Sequence, residues 1–413
     1  MNFKSNLSCD ILVVGGGTGG VFAAICGAKC GSKVILLEKN PMLGGAITSA
    51  CVNFPGLFYA WGKQIISGPC WEAIKRCQAL GGCSVPTFTY KPKNHWDEQI
   101  KLNRFIWLSV INEMCQESGV EVICNSMPFA CENNSLLVAC KEGPIKIDYK
   151  IIIDTTGDAN IVSLLNYKTE KSQICQPATL QNHISDYENV LDEDIEKQLP
   201  NAEKYGLKNI EKWRINHYLS IHKIDIHTDC ISGETSQGKT IIDQKAIKDL
   251  MNWYNFLRSI KGLENLTIDF IPMETGIRET VRIVGEKKVC VEDYLSGKIY
   301  NDSVCYSFYP IDLHVKKGIE NIYIKENTYP TIPYGALIPK DSKNILVAGR
   351  IISSDTLSNS ALRVQASAMA MGQVVGCAGS ISSATNKQPK DIDLNILFKK
   401  LKDLGAIVPN YKP

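Results

Sequence analysis

The amino-acid sequence predicts an α/β fold in which a parallel-sheet domain, built from both ends of the chain, is interrupted by an inserted α+β domain. Three observations carry this. A buried-strand pattern at residues 9–14 runs straight into Gly15-Gly16-Gly17-Thr18-Gly19-Gly20. An Ala-rich helical pattern (residues 21–29) and a second apolar strand (33–37) follow at once. Near the other end, an apolar strand at 344–348 enters Gly349-Arg350 and precedes a segment dense in Ala, Gly and Met at 360–376. With 413 residues the chain has the length of roughly two domains.

The glycine run satisfies G-x-G-x-x-G at Gly15, Gly17 and Gly20, and Glu38 closes the second strand about 20 residues on. Each position has a mechanical reason. One glycine makes the tight turn, the next lets a pyrophosphate approach the backbone, and the third packs helix against strand. The phosphates then sit at a helix N-terminus, where unpaired N–H groups and the dipole favour negative charge. Glu38 can accept hydrogen bonds from ribose hydroxyls. Strand, glycines, helix, strand and acid in that order predict a Rossmann-like dinucleotide-binding unit.

Along the rest of the chain, residues 51–95 are rich in Gly, Pro and aromatics and read as a covering loop region. Residues 96–117 have helical periodicity, with Ile100, Phe105, Leu108, Ile111 and Met114 on one face. Strands are predicted at 120–124, 135–140 and 145–153, the last ending in Asp154-Thr155-Thr156-Gly157-Asp158. The middle of the chain, with more Lys, Asn, Ile and Tyr, mixes strands with helices such as 243–259. The expected domains are therefore 1–164 and 340–413 for the nucleotide-binding part and 165–339 for an inserted substrate or cap domain.

Composition excludes several function classes. Hydrophobic residues make up 44% and charged residues 21%, as in a globular protein and unlike a disordered one. A formal net charge of +2, with the two signs interspersed, leaves no basic field for a phosphate backbone, so nucleic acid is not an expected partner. None of the 16 cysteines stands in a C-x-x-C spacing, so no metal site is expected. Cys26 and Cys30, spaced i, i+4, fit either two small buried thiols or a redox pair. So many thiols suit a reducing, cytoplasmic setting. A membrane-spanning helix needs about 20 mostly apolar residues. The longest uncharged stretch, after Arg363, is instead full of Ser, Ala, Gly and Gln and suits a packed internal helix. No membrane association is expected.

The run Glu38-Lys39-Asn40-Pro41-Met42-Leu43-Gly44-Gly45-Ala46 resembles that of the glutathione-reductase-like FAD-binding proteins. With Gln176–Leu180, Gly276–Gly285, Tyr309–His314, Ile332–Pro339 and the Asn344–Arg350 segment followed by A-L-R-V, nearly all of the chain resembles one family. That family is the FAD-dependent oxidoreductases related to fumarate-reductase-type flavoproteins and heterodisulfide-reductase flavin subunits. The resemblance implies that Gly15, Gly17, Thr18, Gly19, Gly20, Glu38, Lys39, Gly44, Gly45 and Ala46 hold the adenosine, diphosphate and ribityl parts of FAD. It implies that Thr156, Gly157, Asp158, Gly349, Arg350, Ala361 and Val364 lie around the flavin. Two departures stand out. Pro128 falls where a valine backbone usually meets adenine, and proline has no N–H to donate. Val281 replaces the middle arginine of an R-E-T-R-R-like stretch.

The pocket-flanking motifs supply three catalytic candidates, Arg278, Asp312 and His314. An arginine can clamp a carboxylate or stabilise an anion, and a histidine can act as acid or base near neutral pH. Each also fits a structural role, Arg278 as an ion pair with Glu279 and His314 as a satisfied domain-interface histidine. Cys51 is a further candidate nucleophile, and Tyr334 a candidate pocket wall. The expected reaction is hydride transfer between a small organic substrate and flavin N5, with NAD(P)H a candidate electron donor. Two alternatives stay open: a flavin monooxygenase, and a flavin-bearing protein passing electrons to a redox partner. Related hydroxylases usually carry Gly-Asp where this chain has Gly349-Arg350. A homo-oligomer is compatible with all three.

Overall fold

The computed structural model describes residues 3–88, 98–173, 175–188, 190–228, 231–315 and 318–409. The chain divides into two compact units, one of Met1–Thr48, Asn53–Gln173 and Thr280–Pro413, the other of Ser49–Val52 and Ile174–Glu279. Residues 165–173 and 280–339, which the sequence pattern groups with the insertion, thus belong to the first unit. A short antiparallel pair accounts for this: Thr169–Lys171 bonds to Val281–Ile283 and closes a stem that brings the two ends of the insertion together.

The first unit begins with strand β1 (Asn6–Val14), helix α1 (Thr18–Lys29) and strand β2 (Val34–Leu37), with β1 parallel to β2. The last four residues of β1 and all of β2 are buried, as continuous apolar runs in a parallel sheet must be. Ten of the twelve α1 residues are buried, so its Ala and Gly content serves packing on every side. Helix α2 (Pro69–Ala79) lies within the stretch expected as loop. Gly68 precedes it and proline occupies its first position, where the missing N–H costs nothing.

Helix α3 (Arg104–Glu117) starts eight residues later than its periodicity suggested; Trp96 and Asp97 lie outside the described residues. Asn103 sets the start, its Oδ1 accepting from Phe105 N (3.0 Å) and Ile106 N (3.1 Å). The buried residues of α3 are Trp107, Val110, Ile111, Met114 and Cys115, and Phe105 is 77% exposed. Then come β3 (Glu121–Ile123), β4 (Met127–Glu132), β5 (Ser135–Cys140) and β6 (Gly143–Asp154). Strand β4 was not legible: Pro128 interrupts its pattern and a register shift follows at Pro128/Ala130.

The second unit has two short antiparallel pairs, Ala178–Leu180 with Ile226–Thr228 and His183–Ser185 with Thr267–Phe270. Its long helix α4 (Ser236–Arg258) is capped by Thr235 Oγ1, which accepts from Gly238 N at 3.0 Å. Ile184, Ile195, Ile215, Trp253, Phe256 and Leu257 belong to a core of its own. It is an α+β unit, as expected.

The returning chain adds β7 (Ile311–Val315) paired with β8 (Gly318–Ile322), then β9 (Ile345–Val347), α5 (Thr356–Leu362) and α6 (Gln365–Thr385). The single helix expected at 360–376 is thus two. Arg363 ends α5, and Val364 adopts an extended conformation (φ −63°, ψ 148°) before α6. A tertiary bond holds the break: Ala366 N, in the first turn of α6, donates to Pro55 O at 2.7 Å. Helix α6 lies along α1 backbone to backbone. A methyl group built on Gly372 would fall 2.2 Å from Gly19 O, and one on Gly376 2.2 Å from Ala23 O.

The strands form a seven-stranded sheet ordered β3-β2-β1-β6-β5-β4, with β9 added beside β6. Strand β6 pairs with β1 along one edge, from Lys146 to Asp154. Its other edge is divided: residues 143–148 face β5 antiparallel, and 152–154 face β9 parallel. This twelve-residue strand joins the parallel and antiparallel parts of one sheet.

Candidate functional site

The register aligns Leu37, Val14, Asp154 and Val347 across four parallel strands. The next residue of each, Glu38, Gly15, Thr155 and Ala348, therefore leaves the sheet at the same edge. Three hydrogen bonds continue the ladder there: Gly15 N to Leu37 O (2.8 Å), Thr155 N to Val14 O (2.9 Å) and Ala348 N to Asp154 O (3.2 Å). Chain order runs outward through β2 and β3 on one side of β1 and through β6 and β9 on the other. The crevice at such a reversal, beyond the carboxyl ends of the strands, is where open α/β sheets bind ligands.

The glycines at this edge divide their duties. Gly15 has φ +104°, and a methyl on it would lie 2.6 Å from Thr155 O. A methyl on Gly20 would lie 1.8 Å from Gly15 O, so this glycine lets α1 pack onto its own turn. Gly17 differs: the nearest atom to a methyl there is Gly45 Cα at 3.9 Å. Thr18 and Gly19 fill the buried first turn of α1, which has no side-chain cap and no acidic residue. Gly44 (φ +100°) donates its N–H to Gly16 O at 2.8 Å, placing the Gly44-Gly45 loop beside the glycine turn. Ala46 follows in the short turn Gly45–Ile47. The Glu38 carboxylate, 6% exposed, accepts from Gly16 N (2.6 Å) and Asn40 N (2.9 Å). It anchors the turn from the end of β2. Lys39 is exposed and reaches Asn40 Oδ1. Pro128, in β4, pairs with Val138 of β5, and Ser126 N, two residues before it, donates to Glu38 O at 3.0 Å.

Beside Gly15, buried Asp154 organises the turn after β6. Its carboxylate accepts from Thr156 N, Thr156 Oγ1, Ile161 N and Val162 N at 2.7–3.0 Å. Burial pushes this carboxyl up, against the pull of those donors. Gly157 (φ +79°) leaves room for Arg350, whose guanidinium carbon would be 2.9 Å from a methyl built there. Arg350 NH2 meets Asp158 Oδ1 at 2.6 Å, and Thr280 Oγ1 donates to the same oxygen at 3.0 Å. Gly349 (φ +93°) has nothing within 4 Å of a built methyl. Ala361 is buried in α5, and Val364 packs against Gly56.

These residues fit a dinucleotide. The uncapped α1 N-terminus offers N–H groups to an anion, and the Gly17 and Gly349 faces are open. Arg350 Nε is buried without a hydrogen-bond partner among the described residues. No group of three or more candidate metal ligands occurs among the described residues.

A second cluster lies in the returning chain of the same unit. Asp312 Oδ2 is 3.3 Å from His314 Nε2 and 3.4 Å from Arg363 NH2, and Arg363 NH2 also donates to Asp312 O. Ser360 Oγ accepts from Asp312 N at 3.1 Å. The three side chains are 14–16% exposed. Sequence reasoning selected Asp312 and His314 and missed Arg363, although it stands between the two residues taken from A-L-R-V. Arg278 belongs to the second unit, where its NH1 donates to Pro177 O (2.5 Å) and Thr179 Oγ1 (2.7 Å). Cys51 is also in the second unit, with φ +60°. Tyr334 is 3% exposed and its hydroxyl donates to Pro389 O.

The described cysteines are all free. Burial pushes Cys9, Cys77 and Cys115 up to about 12, far from a thiolate at neutral pH. Cys30 ends α1 and turns to Cys377 of α6, with 3.6 Å between the sulfurs. Among the described residues no helix is long and apolar enough to cross a membrane.

Fold and edge geometry together are those of an open α/β protein with a crevice at the carboxyl ends of its parallel strands. Residues 10–403 match the family model described as FAD dependent oxidoreductase, and the chain belongs to that family. It is 25% identical to dihydrolipoyl dehydrogenase 3 of Haloarcula marismortui over 331 residues, 72% of this chain and 63% of that protein. The mitochondrial dihydrolipoyl dehydrogenase of Caenorhabditis elegans is 42% identical over 52 residues, 13% of this chain and 10% of that one. The chain spans less than two thirds of the length of either relative. Among solved structures, a geranylgeranyl bacteriochlorophyll reductase-like protein from Thermoplasma acidophilum aligns over 97% of this chain and 83% of its own. Its identity is 13% and its TM-score 0.46. A myxobacterial chondrochloren halogenase aligns over 96% and 78%, with 12% identity and a TM-score of 0.43.

Proposed function

We propose that this oxidoreductase transfers a hydride between a small organic substrate and FAD, and that the Asp312, His314 and Arg363 cluster serves the substrate side. FAD, where bound, supplies the two-electron chemistry, and the protein supplies position and protons. In this reading Gly15, Gly17, Thr18, Gly19 and Gly20 present the α1 N-terminus to the diphosphate. Glu38 accepts from ribose hydroxyls while fixing the turn through Gly16 N. Lys39, Gly44, Gly45 and Ala46 follow the dinucleotide, and Pro128 borders the adenine. Thr156, Gly157, Asp158, Gly349, Arg350, Ala361 and Val364 complete the flavin surround.

The observation that carries the substrate-side assignment is the shared carboxylate of Asp312. Its Oδ2 stands 3.3 Å from His314 Nε2 on one side and 3.4 Å from the Arg363 guanidinium on the other. An imidazole so oriented can give or take a proton near neutral pH, and the arginine fixes the carboxylate that orients it. Arg278, tied to Pro177 and Thr179, shapes the second unit, which we assign as the substrate-covering part. The free thiols favour a cytoplasmic protein.

The test is an absorbance spectrum of the purified protein, with the released cofactor identified by mass, followed by anaerobic addition of NADH or NADPH. Bound FAD that bleaches with pyridine nucleotide supports a reductase, and oxygen-dependent substrate hydroxylation on re-aeration would turn the assignment to a monooxygenase. FAD that stays oxidised until a substrate is added supports an oxidising enzyme. FAD reduced only by a partner protein would favour the electron-transfer reading. No FAD after reconstitution would refute the proposal.

A further inference from the structure

We infer that His227 is a substrate-contacting residue of the second unit, its Nε2–H donating a hydrogen bond to a carbonyl or carboxylate oxygen, with Thr179 and Arg278 as the residues that position it. The inference rests on the reading of the second unit as the substrate-covering part, and it adds a residue that no sequence motif nominates.

The backbone brings these side chains together. Thr179 N donates to Gly276 O (3.0 Å) and Gly276 N to Thr179 O (2.9 Å), a hydrogen-bonded antiparallel pair. On its other side Thr179 stands opposite His227, in the alternate kind of pair, where no backbone bond is exchanged and the side chains come closer. Residues directly opposite in antiparallel strands share a face, so Gly276, Thr179 and His227 look the same way. Thr179 is 5% exposed, whereas His227 is exposed between the buried Ile226 and Thr228. Ser49–Val52 lies on this face too: a methyl built on Gly276 would be 3.3 Å from Val52 Cγ2 and 3.6 Å from Ala50 Cβ. In the chain, that segment begins two residues after the Gly45–Ile47 turn assigned above to the cofactor.

The hydrogens then decide the form of the imidazole. Arg278 NH1 donates to Thr179 Oγ1 at 2.7 Å and to Pro177 O at 2.5 Å, and a guanidinium has no acceptor to offer in return. The Thr179 hydroxyl keeps one proton of its own, and among the described residues the acceptor it reaches is His227 Nδ1 at 2.9 Å. A buried hydroxyl proton left without an acceptor is unfavourable, so Thr179 donates, Nδ1 accepts, and the neutral ring carries its proton on Nε2. Such a ring can hydrogen-bond an oxygen on which negative charge grows during hydride transfer at a neighbouring carbon, without giving up its proton.

The test is ¹⁵N imidazole NMR of the full-length protein with FAD, the His227 signals being assigned among the six histidines by their loss in His227→Gln. The expected result is an unprotonated, hydrogen-bonded Nδ1 and a protonated Nε2 whose signal shifts saturably with acetate, acetone or pyruvate. A response to acetate and not acetone makes the acceptor a carboxylate, and the reverse makes it a carbonyl. Thr179→Val, which keeps the shape and removes the hydroxyl, should move the Nδ1 signal and weaken binding of the effective probe roughly tenfold, the loss typical of one hydrogen bond. Thr179→Ser should restore both, which it would not do if Thr179 served only to pack the strands. A proton on Nδ1, or an Nε2 signal that ignores all three probes, would overturn the inference. The same signals are read in FAD-free protein, so failure to hold FAD would refute the oxidoreductase proposal while His227 is judged by its own ring.

Discussion

Gly17→Ala separates the cofactor role of the glycine motif from its folding role. Gly17 precedes α1 with φ −70° and ψ −174°, extended backbone that alanine adopts freely. Its methyl would meet only Gly45 Cα, at the ordinary contact distance of 3.9 Å. The stripped protein should therefore fold normally. A gain of about 0.4–1 kcal/mol is expected, because alanine narrows the unfolded ensemble. The same methyl occupies the face along which we propose a diphosphate approaches. Forcing a methyl-sized group into a close contact costs about 1–3 kcal/mol, so FAD should bind roughly 5- to 150-fold more weakly. The assay is thermal unfolding of the stripped protein followed by FAD titration. Gly20→Ala is the contrasting case: its methyl would lie 1.8 Å from Gly15 O, a backbone atom that cannot step aside, so the fold itself should fail. If Gly17→Ala binds FAD like wild type, the phosphate does not approach at Gly17 and our reading of the motif is wrong. If it lowers the melting temperature of the stripped protein by more than about 5 °C, the open face is not open.

Gly376→Val should destabilise the first unit by about 3 kcal/mol or more in urea unfolding, since even its Cβ falls 2.2 Å from Ala23 O; a wild-type midpoint would show that α1 and α6 do not touch as described. Asp10 is held below the ordinary aspartate range first by a hydrogen bond from Lys150 (2.8 Å) and then by the Lys33 N–H (2.9 Å). Its native-state carboxylate therefore stabilises the fold above the unfolded value and loses that effect as pH falls through the lowered one. Asp10→Asn should cost about 0.2–1 kcal/mol near pH 7 and almost nothing near pH 2, as compared by urea unfolding at both. His314→Gln should lower turnover roughly 100-fold or more while leaving the FAD dissociation constant unchanged. An altered FAD affinity would move His314 from the substrate side to the cofactor side.

What was legible in the sequence is what short-range backbone geometry controls. Gly15 and Gly20 could be read because a positive φ and a sub-contact approach admit no other residue, and both constraints lie within six positions of each other. Glu38 could be read because β2 is only four residues long and its end fixes the acid at the edge. The extent of the insertion was not legible, because it depends on Thr169–Lys171 finding Val281–Ile283 across more than a hundred residues. The start of α3 was misread because one asparagine cap decides where the helix begins, and its inward face proved to hold Trp107 and not Phe105. The break between α5 and α6 followed from a bond to Pro55, some three hundred residues earlier in the chain. Arg363 shows the same limit at the functional level. It pairs with Asp312 across 51 positions, a contact that the local sequence around Arg363 does not write. A carboxylate with a histidine on one side and an arginine on the other is a tertiary object. Motifs nominated two of its members, and the break at Val364, which ends α5 at Arg363, delivered the third.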